Sequence, residues 1–231
     1  MSTEQLAIPL TLRDDATFYS FYPGKNQHIY FALRQIVKGQ GEKFLYLWGE
    51  HGVGKTHLMQ AACQQSRELN KASVYIPLRD YQALDTRIFE GLENISLICI
   101  DDVHLINKNS VWEEALFHLY NRLKLSNGYL LISALSSPLA LPIQLADLKS
   151  RLAWGITYQI QPLSDDEKMM ALILRASQRG LKLSKVVAKF LLNHCPRNMQ
   201  DLFLTLEILD KAALIEKHPL TIPFVKQVLQ L

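Results

Sequence analysis

The spacing of hydrophobic positions changes near residue 162, and this change divides the chain into two predicted parts. Before it, short runs rich in apolar residues alternate with segments whose apolar residues recur at helical spacing. Apolar runs without a polar face are typical of strands covered on both sides, and their alternation with helices predicts a parallel sheet flanked by helices. The predicted strands are residues 43–48, 73–78, 95–100, 128–134 and 155–160. The predicted helices of this part are residues 29–38, 55–70, 80–92 and 110–125, the last with Ser110 as its N-cap.

Beyond residue 162 the apolar residues occur only at helical spacing, which predicts a small all-helical domain. Ser164 and Glu167 have the spacing of a capping box, and Thr221 is a suitable cap for the last helix. The four predicted helices are residues 164–180, 183–195, 198–217 and 221–231. The predicted organisation is therefore an extended arm over residues 1–16, an α/β domain over 17–161 and a helical domain over 162–231.

A glycine-rich segment, GEHGVGKTHL, follows the first predicted strand and opens a predicted helix. It matches the G-x-x-x-x-G-K-[ST] loop, in which glycines let backbone N–H groups turn toward phosphate oxygens and the helix amino end adds positive charge. This match predicts that Lys55 reaches the β- and γ-phosphates of a nucleotide and that Thr56 ligates Mg²⁺. The glycines of the loop are Gly49, Gly52 and Gly54. The alternative is an accidental glycine turn, which the strand before it and the helix after it disfavour.

Two adjacent acids end the third predicted strand, in the segment LICIDD. In phosphate-loop proteins an aspartate at this place holds the Mg²⁺ coordination shell, which indicates Asp101 as a metal-site residue. Asp102 has the chemistry to orient or deprotonate an attacking water. The alternative is that both acids begin a loop and cap the next helix. The glycine loop elsewhere in the chain favours the metal interpretation for Asp101 and leaves the role of Asp102 open.

Two arginines are candidates for contacting phosphate, because a guanidinium offers forked donors and stays charged. Arg197 opens the third helix of the helical domain, where it could close over a nucleotide held by the same chain; pairing with Asp201 is its alternative. Arg151 lies between the last two strands, where it could face another molecule. Spacing alone favours a different interpretation of Arg151, an ion pair with Asp147 four residues earlier.

Composition narrows the class of protein further. Hydrophobic residues make up 48% and charged residues 20% of the 231 residues, which is ordinary for a globular protein with a real core. We expect a cytoplasmic protein, since no apolar run is long enough to cross a bilayer and the first residues do not form a signal peptide. The net charge is only +3 and basic residues do not cluster, which disfavours direct DNA binding through a basic tail.

Together these segments resemble the initiator-type AAA+ ATPases, in particular the DnaA-related regulators of bacterial replication initiation, over essentially the whole chain. GEHGVGKTHL and CIDDV are similar to the phosphate and metal motifs of the family. DLKSRLAWG is similar to its arginine-finger segment, and PRNMQDLF to its second sensor motif. TFYSFYPGKNQ is similar to the segment that surrounds the adenine, with Phe21, Gly24 and Asn26 as the nucleotide-contacting residues.

The resemblance implies an AAA+ parallel sheet with a helical lid, a bound ADP or ATP with Mg²⁺, and Arg197 as the lid sensor of that nucleotide. It also implies that Arg151 acts in trans, on ATP held by the DnaA initiator. DnaA would then hydrolyse its ATP to ADP, and re-initiation of chromosomal replication would be prevented. Self-association stays open.

The segment QLAIPL resembles the short peptide by which proteins dock on the replicative sliding clamp, the β subunit of DNA polymerase III. An arm of this kind offers one hydrogen-bonding amide for a pocket rim and spaced aliphatic side chains for apolar grooves. The residues assigned to this contact are Gln5, Leu6, Ile8, Pro9 and Leu10. The resemblance thus implies a protein associated with the replisome on the nucleoid, with DNA contacted mainly through the clamp and with no membrane. An arm packed on its own sheet, or a disordered arm, is the alternative.

One position departs from the family pattern. The first-sensor residue near the end of the fourth predicted strand, often Asp in DnaA, is Leu135 here, and Ser133 and Ser136 are the available polar substitutes. We therefore expect this chain to hydrolyse ATP slowly by itself. Two other functions stay open: an autonomous AAA+ ATPase such as a helicase loader, and a clamp-tethered scaffold whose nucleotide is structural.

Overall fold

The computed structural model describes residue 12 and residues 15–231. The residues assigned to clamp binding, 5–10, lie outside this described part of the chain.

The first part of the described chain is built on a sheet of five parallel strands in the order β2-β3-β4-β1-β5. The strands are β1 (Phe44–Trp48), β2 (Ser73–Pro77), β3 (Leu97–Asp101), β4 (Tyr129–Ala134) and β5 (Ile156–Gln159). All five predicted strands are present, and the predicted α/β class is confirmed. Because all strands run in one direction, their carboxyl ends meet at one edge of the sheet, which is where parallel α/β proteins place their ligands.

Helices cover both faces of the sheet and form the whole of the C-terminal part. The helices beside the sheet are α1 (Gln27–Lys38), α2 (Lys55–Glu68), α3 (Ser110–Lys124) and α4 (Ala146–Leu152). The C-terminal helices are α5 (Asp165–Gln178), α6 (Lys185–His194), α7 (Met199–Glu216) and α8 (Ile222–Leu229). Ser164 and Glu167 form the predicted capping box of α5, and Thr221 caps α8 as predicted. Helix α4 was not predicted.

The predicted helix over residues 80–92 is wrong. In its place the chain forms three short 3₁₀ helices, Leu78–Ala83, Thr86–Phe89 and Leu92–Asn94. The cause is local: the Asp85 side chain accepts the backbone N–H of Arg87 and starts a new turn, and a glycine with φ of +74° precedes the third one. The predicted cap of α3 is also displaced by one residue, since its N-cap is Asn109 rather than Ser110.

Alternating residues of β1, β2, β3 and β4 contribute to two separate apolar layers, one on each face of the sheet, whereas the edge strand β5 is mostly exposed. Along β3, for example, Ile98 and Ile100 pack with the side chains of α3, whereas Leu97 and Cys99 pack with those of α1 and α2. A third apolar cluster lies within the C-terminal helices. In β1 to β4 the apolar runs therefore reflect burial on both sides of the sheet, as the sequence pattern indicates.

A buried carboxylate joins α3 to the start of α4. Glu113 of α3 is fully buried, and its oxygens accept backbone N–H bonds from Lys108 (2.9 Å), Gln144 (3.0 Å) and Leu145 (2.8 Å). Leu145 is the residue just before α4, so one side chain fixes the entry to the helix that carries Arg151. A charged acceptor serving several N–H donors is a strong interaction whose loss leaves those donors unsatisfied.

We expect the change Glu113→Gln to lower the free energy of unfolding by about 2 kcal/mol, because an amide NH₂ would replace one accepting oxygen beside these N–H groups. Urea denaturation followed by circular dichroism measures the change. The matched control is Glu114→Gln, since Glu114 is the neighbouring exposed residue on the same helix. Equal stability of the two variants would contradict the role assigned to Glu113.

Candidate functional site

The glycine loop connects the carboxyl end of β1 to α2, as predicted. Lys55 at the start of α2 is only 6% exposed, and its ammonium donates to the carbonyl oxygens of Gly49 (2.8 Å) and Glu50 (2.9 Å). Burial lowers the pKa of Lys55, and the nearby carboxylates of Asp102 and Asp101 oppose that shift. A buried cation beside a glycine loop and a helix amino end is chemically suited to an anion.

Glycine is required in the loop for conformation and for space. Gly52 and Gly54 have φ of +78° and +99°, a region that other residues rarely adopt. A Cβ on Gly54 would lie 2.7 Å from the ring of Phe21, so this aromatic side chain packs directly on the loop. A Cβ on Gly49 would lie 2.8 Å from the backbone oxygen of Ile160. The loop is therefore held between the N-terminal segment and the end of the sheet.

Asp101, at the carboxyl end of β3, is the centre of a buried hydrogen-bond cluster. It is fully buried, and it accepts from the hydroxyls of Thr56 (2.7 Å), Tyr75 (2.7 Å) and Ser133. Burial raises the pKa of Tyr75, and the Asp101 carboxylate adds to the shift. The structure thus brings together Thr56 and Asp101, the two residues predicted to hold Mg²⁺. The sequence analysis missed Tyr75, because the apolar pattern of β2 does not indicate that its hydroxyl donates a hydrogen bond to Asp101.

The oxygen atoms of Thr56 and Asp101 fit a magnesium ion, which prefers hydroxyl, carboxylate and phosphate oxygens. In the described part of the chain, no three His, Cys, Asp or Glu side chains converge as a metal-binding group. A divalent cation here would therefore be completed by oxygens of its ligand and by water, which is the usual arrangement of Mg²⁺ beside phosphates.

Asp102 takes a left-handed conformation, with φ of +62°, immediately after β3. Its carboxylate lies 3.6 Å from the guanidinium of Arg79, and its N–H donates to Ser133 Oγ (3.0 Å). Burial raises the pKa of Asp102, and Asp101 raises it further. Ser133 therefore joins both acids, whereas Leu135 lies beyond the end of β4. Of the two serines considered as first-sensor substitutes, Ser133 is the one that the structure places beside the acids.

A cavity of about 400 Å³ lies against the glycine loop and under the C-terminal helices. Five predicted residues line it: Phe21, Asn26, Gly52, Gly54 and Arg197. The six other residues predicted for this site do not belong to its lining: Gly24, Gly49, Lys55, Thr56, Asp101 and Asp102. The predicted loop, N-terminal segment and lid arginine thus meet at one pocket, whose volume is in the range of small-molecule sites.

Two residues predicted to contact the adenine connect the N-terminal segment to the chain at the start of the C-terminal helices. Asn26 is 1% exposed, and its amide forms two hydrogen bonds with the backbone of Gln161, at 2.9 and 2.8 Å. Gly24 has φ of +50°, and a Cβ there would lie 2.6 Å from the carboxylate of Glu167. Both residues join the N-terminal segment to the start of the C-terminal helices, which forms one wall of the pocket.

Arg197 borders the same pocket and pairs with Asp165 at 3.4 Å, with both side chains 61% exposed. The alternative pairing with Asp201 is wrong, because Asp201 bonds to Asn198, the N-cap of α7. An ion pair this exposed contributes little to stability. Arg197 is therefore available to an anion in the pocket.

Arg151 lies at the other end of the sheet. It sits in the last turn of α4, just before Gly155 and the amino end of β5, where a Cβ on Gly155 would clash with the backbone of Phe44 in β1. The glycine loop leaves the opposite, carboxyl end of β1. Among the described residues Arg151 pairs with no carboxylate, so the ion pair with Asp147 is wrong. Its guanidinium lies 5.4 Å from the ring centroid of Trp154.

The structure also shows a link that the sequence did not predict, between the N-terminal segment and the C-terminal helices. The buried guanidinium of Arg175 in α5 forms an ion pair with Asp15 and donates to its carbonyl at 3.2 Å. One turn later, the amide of Gln178 donates to the Tyr19 carbonyl at 2.8 Å. A charged residue on the apolar side of a predicted helix was the available signal, but its partner lies 160 positions away.

Comparisons with known protein families agree with this geometry. A family model described as the bacterial DnaA ATPase domain matches residues 12–159, and a model described as the Hda lid domain matches residues 165–229. These two matches, together with the parallel sheet and the phosphate loop, define a DnaA-like AAA+ protein. The chain belongs to the bacterial DnaA ATPase domain family, since that model covers more than half of it.

Solved structures show the same fold. Domain III of the replication initiation protein DnaA from Thermotoga maritima is 21% identical, covers 95% of this chain and 98% of its own, and has a TM-score of 0.78. AMPPCP-bound DnaA from Aquifex aeolicus is 22% identical, with 89% and 68% coverage and a TM-score of 0.75. The Holliday junction branch migration motor RuvB of Thermotoga maritima is 16% identical, with 88% and 67% coverage and a TM-score of 0.66.

Within the described residues, no helix combines the length and the apolarity that a membrane span requires.

Proposed function

We propose that this chain is an Hda-type regulator: it binds ADP or ATP with Mg²⁺, docks on the DNA-loaded sliding clamp and stimulates ATP hydrolysis by DnaA. The observation that carries the proposal is the separation of its two arginines. Arg197 borders the chain's own phosphate-loop pocket, whereas Arg151 lies at the opposite end of the sheet without a carboxylate partner among the described residues. The match of residues 165–229 to the Hda lid supports this member of the family over DnaA itself.

The chain's own site holds the nucleotide. The backbone N–H groups of the glycine loop and the Lys55 ammonium bind phosphate oxygens, and Thr56 and Asp101 provide oxygens for Mg²⁺. Mg²⁺, when bound, neutralises charge on the phosphates. Phe21 lies over the loop on the side of the base, and Arg197 contacts the phosphates from the lid. Since AMPPCP was bound in the Aquifex aeolicus structure, a family member of this fold accommodates an adenine nucleotide.

Hydrolysis of that nucleotide is secondary. Ser133, the polar group at the end of β4, donates to Asp101 and accepts from the Asp102 N–H. The Asp102 carboxylate faces Arg79. These groups form hydrogen bonds and an ion pair with one another. We infer that they are poorly placed to orient an attacking water. The nucleotide therefore serves mainly to join the sheet to its lid.

Arg151 serves a different nucleotide. A guanidinium placed at the γ-phosphate of a partner's ATP stabilises the charge that develops during phosphoryl transfer. Because the amino end of the sheet is far from the glycine loop, Arg151 is presented to another molecule rather than to its own pocket. The partner in this proposal is ATP-bound DnaA, and self-association would use the same surface.

The test is a reconstituted assay of ATP bound to DnaA. DnaA is loaded with labelled ATP and mixed with this protein, with DNA-loaded clamp, with both or with neither. The proposal predicts rapid conversion to ADP-DnaA only when both are present. Equal stimulation with and without the clamp, or fast hydrolysis by this protein alone, would favour an autonomous ATPase such as a helicase loader.

Docking on the clamp is assigned to residues 5–10, so we expect the double change Gln5→Ala and Leu6→Ala to weaken clamp binding at least about tenfold. The changes remove an amide that can hydrogen-bond at a pocket rim and an apolar side chain that can fill a groove, the contacts by which a short extended peptide docks. Titration of fluorescent clamp measures the affinity. The control is Thr3→Ala, just outside the segment. Equal affinity of the double variant and the control would remove the docking assignment.

A further inference from the structure

We propose that Trp154 is a positioning residue for Arg151: its indole ring, fixed by neighbouring side chains, orients the guanidinium toward the partner. This inference rests on the proposed trans action of Arg151 and adds a second residue to it. Trp154 is 56% exposed although it is a large aromatic side chain. The contacts of this exposed indole therefore indicate what it does beside Arg151.

Two cations share this ring. The Lys124 ammonium lies 4.2 Å from the ring centroid and the Arg151 guanidinium lies 5.4 Å from it, both within the range of a cation–π interaction. The backbone N–H of Trp154 also donates to the Arg151 carbonyl at 3.1 Å, closing the turn that ends α4. The arginine and its aromatic partner are therefore held by backbone and side-chain contacts together.

The Trp154 ring packs against aromatic side chains on its protein side. Tyr120 of α3 lies 6.5 Å from the Trp154 ring, and it stacks in turn on Phe44 at 4.2 Å. The next residue is Gly155, whose missing Cβ lets the backbone pass close to that of Phe44. Any side chain there would push Trp154 away from the sheet. The aromatic contacts thus connect the start of β1 to the surface on which Arg151 lies.

The charges on this surface leave the Arg151 guanidinium without an ion pair among the described residues. Lys124 and Arg151 repel each other across the same ring, and no carboxylate of the described chain lies within ion-pair distance of Arg151. Beneath them, the buried Tyr120 hydroxyl has no hydrogen-bond partner in the described structure. Its pKa is raised to about 12 by burial, an effect that the Arg151 charge opposes. No hydrogen bond within the described residues involves the Arg151 guanidinium, so its N–H groups are available to an anion of the partner.

The expected effect of Trp154 is moderate. Arginine carries a large rotamer entropy, part of which an aromatic face removes before the partner arrives. A cation–π contact of this exposure corresponds to roughly a 2- to 5-fold change in rate when it orders a group used in the transition state. Such a residue changes the rate at saturation, whereas a residue that only binds DnaA changes the concentration needed for half-maximal stimulation.

The test compares Trp154→Leu with Trp154→Phe in the DnaA assay with DNA-loaded clamp. We expect Trp154→Leu to lower the maximal rate about fourfold without moving the half-saturating concentration, and Trp154→Phe to restore most of it. Val186→Ala, an exposed apolar change on the lid, is the control. Full activity of Trp154→Leu, or a loss seen only in the half-saturating concentration, would overturn the positioning role.

A second measurement does not depend on DnaA. In nuclear magnetic resonance spectra of the protein alone, the ring current of Trp154 should shift the Arg151 side-chain signals upfield, and Trp154→Leu should abolish the shift. Signals at unshifted positions would overturn the positioning geometry. Failure of the wild-type protein to stimulate DnaA would instead overturn the proposed function, so the two failures are distinguishable.

Discussion

Replacing Arg151 with alanine is expected to abolish stimulation of DnaA, lowering the rate at which DnaA-bound ATP is hydrolysed by on the order of 10³-fold or more. The side chain offers its forked donors at the end of the sheet that faces away from its own phosphate loop. In the proposed complex it places positive charge at the γ-phosphate of the ATP that DnaA holds. Clamp binding and nucleotide binding by the variant should be unchanged, because clamp binding is assigned to residues 5–10 of the sequence and the loop pocket lies at the other end of the sheet.

The assay is single-turnover hydrolysis of labelled ATP on DnaA with excess variant and DNA-loaded clamp. Arg151→Lys tests the chemistry, since it keeps the charge but loses the planar fork, and it should recover little activity. The matched control is Arg87→Ala, an exposed arginine that pairs only with Asp85 within the described chain. Stimulation by Arg151→Ala equal to that of the control would mean that the protein is a scaffold rather than a source of the finger.

Replacing Lys55 with alanine is expected to weaken ADP and ATP binding by about 10²-fold, because charge-assisted hydrogen bonds to phosphate are among the strongest that a side chain makes. Lys55 is nearly buried, and its present acceptors are the carbonyls of Gly49 and Glu50 in the loop. The variant therefore loses both the cation and a link within the loop.

Isothermal titration with ADP and Mg²⁺ measures this loss, and circular dichroism shows whether the variant is folded. Lys38→Ala on the exposed end of α1 is the control, since it removes the same charge far from the loop. The melting temperature of the wild-type protein and of the control should rise with ADP, and that of the Lys55 variant should not. A normal affinity in Lys55→Ala would remove the phosphate-loop assignment.

The sheet could be predicted from the sequence because parallel strands covered on both sides leave a simple signal, a short run without polar residues. The same pattern explains why Asp101 could be assigned: an acid directly after such a run must lie at the carboxyl edge of the sheet. The glycine loop is equally local, since its φ values and its neighbours are set by consecutive residues.

The missed features depend on contacts between distant parts of the chain. Asn26 pairs with the backbone of Gln161 across 135 positions, and Arg175 pairs with Asp15 across 160. Glu113 serves the N–H groups of Gln144 and Leu145 from a different helix. No periodicity marks such partners. The wrong prediction of a helix over residues 80–92 has a local cause instead of a distant one. A side-chain cap and a left-handed glycine interrupt a pattern that looks helical.

The most direct test of the central proposal is the structure of this protein in complex with clamp, DNA and DnaA bound to AMPPCP. The proposal predicts that the Arg151 guanidinium lies within hydrogen-bond distance of the γ-phosphate held by DnaA, with Trp154 still beside it. An Arg151 that stays on its own subunit, with another residue at that phosphate, would contradict the proposed mechanism.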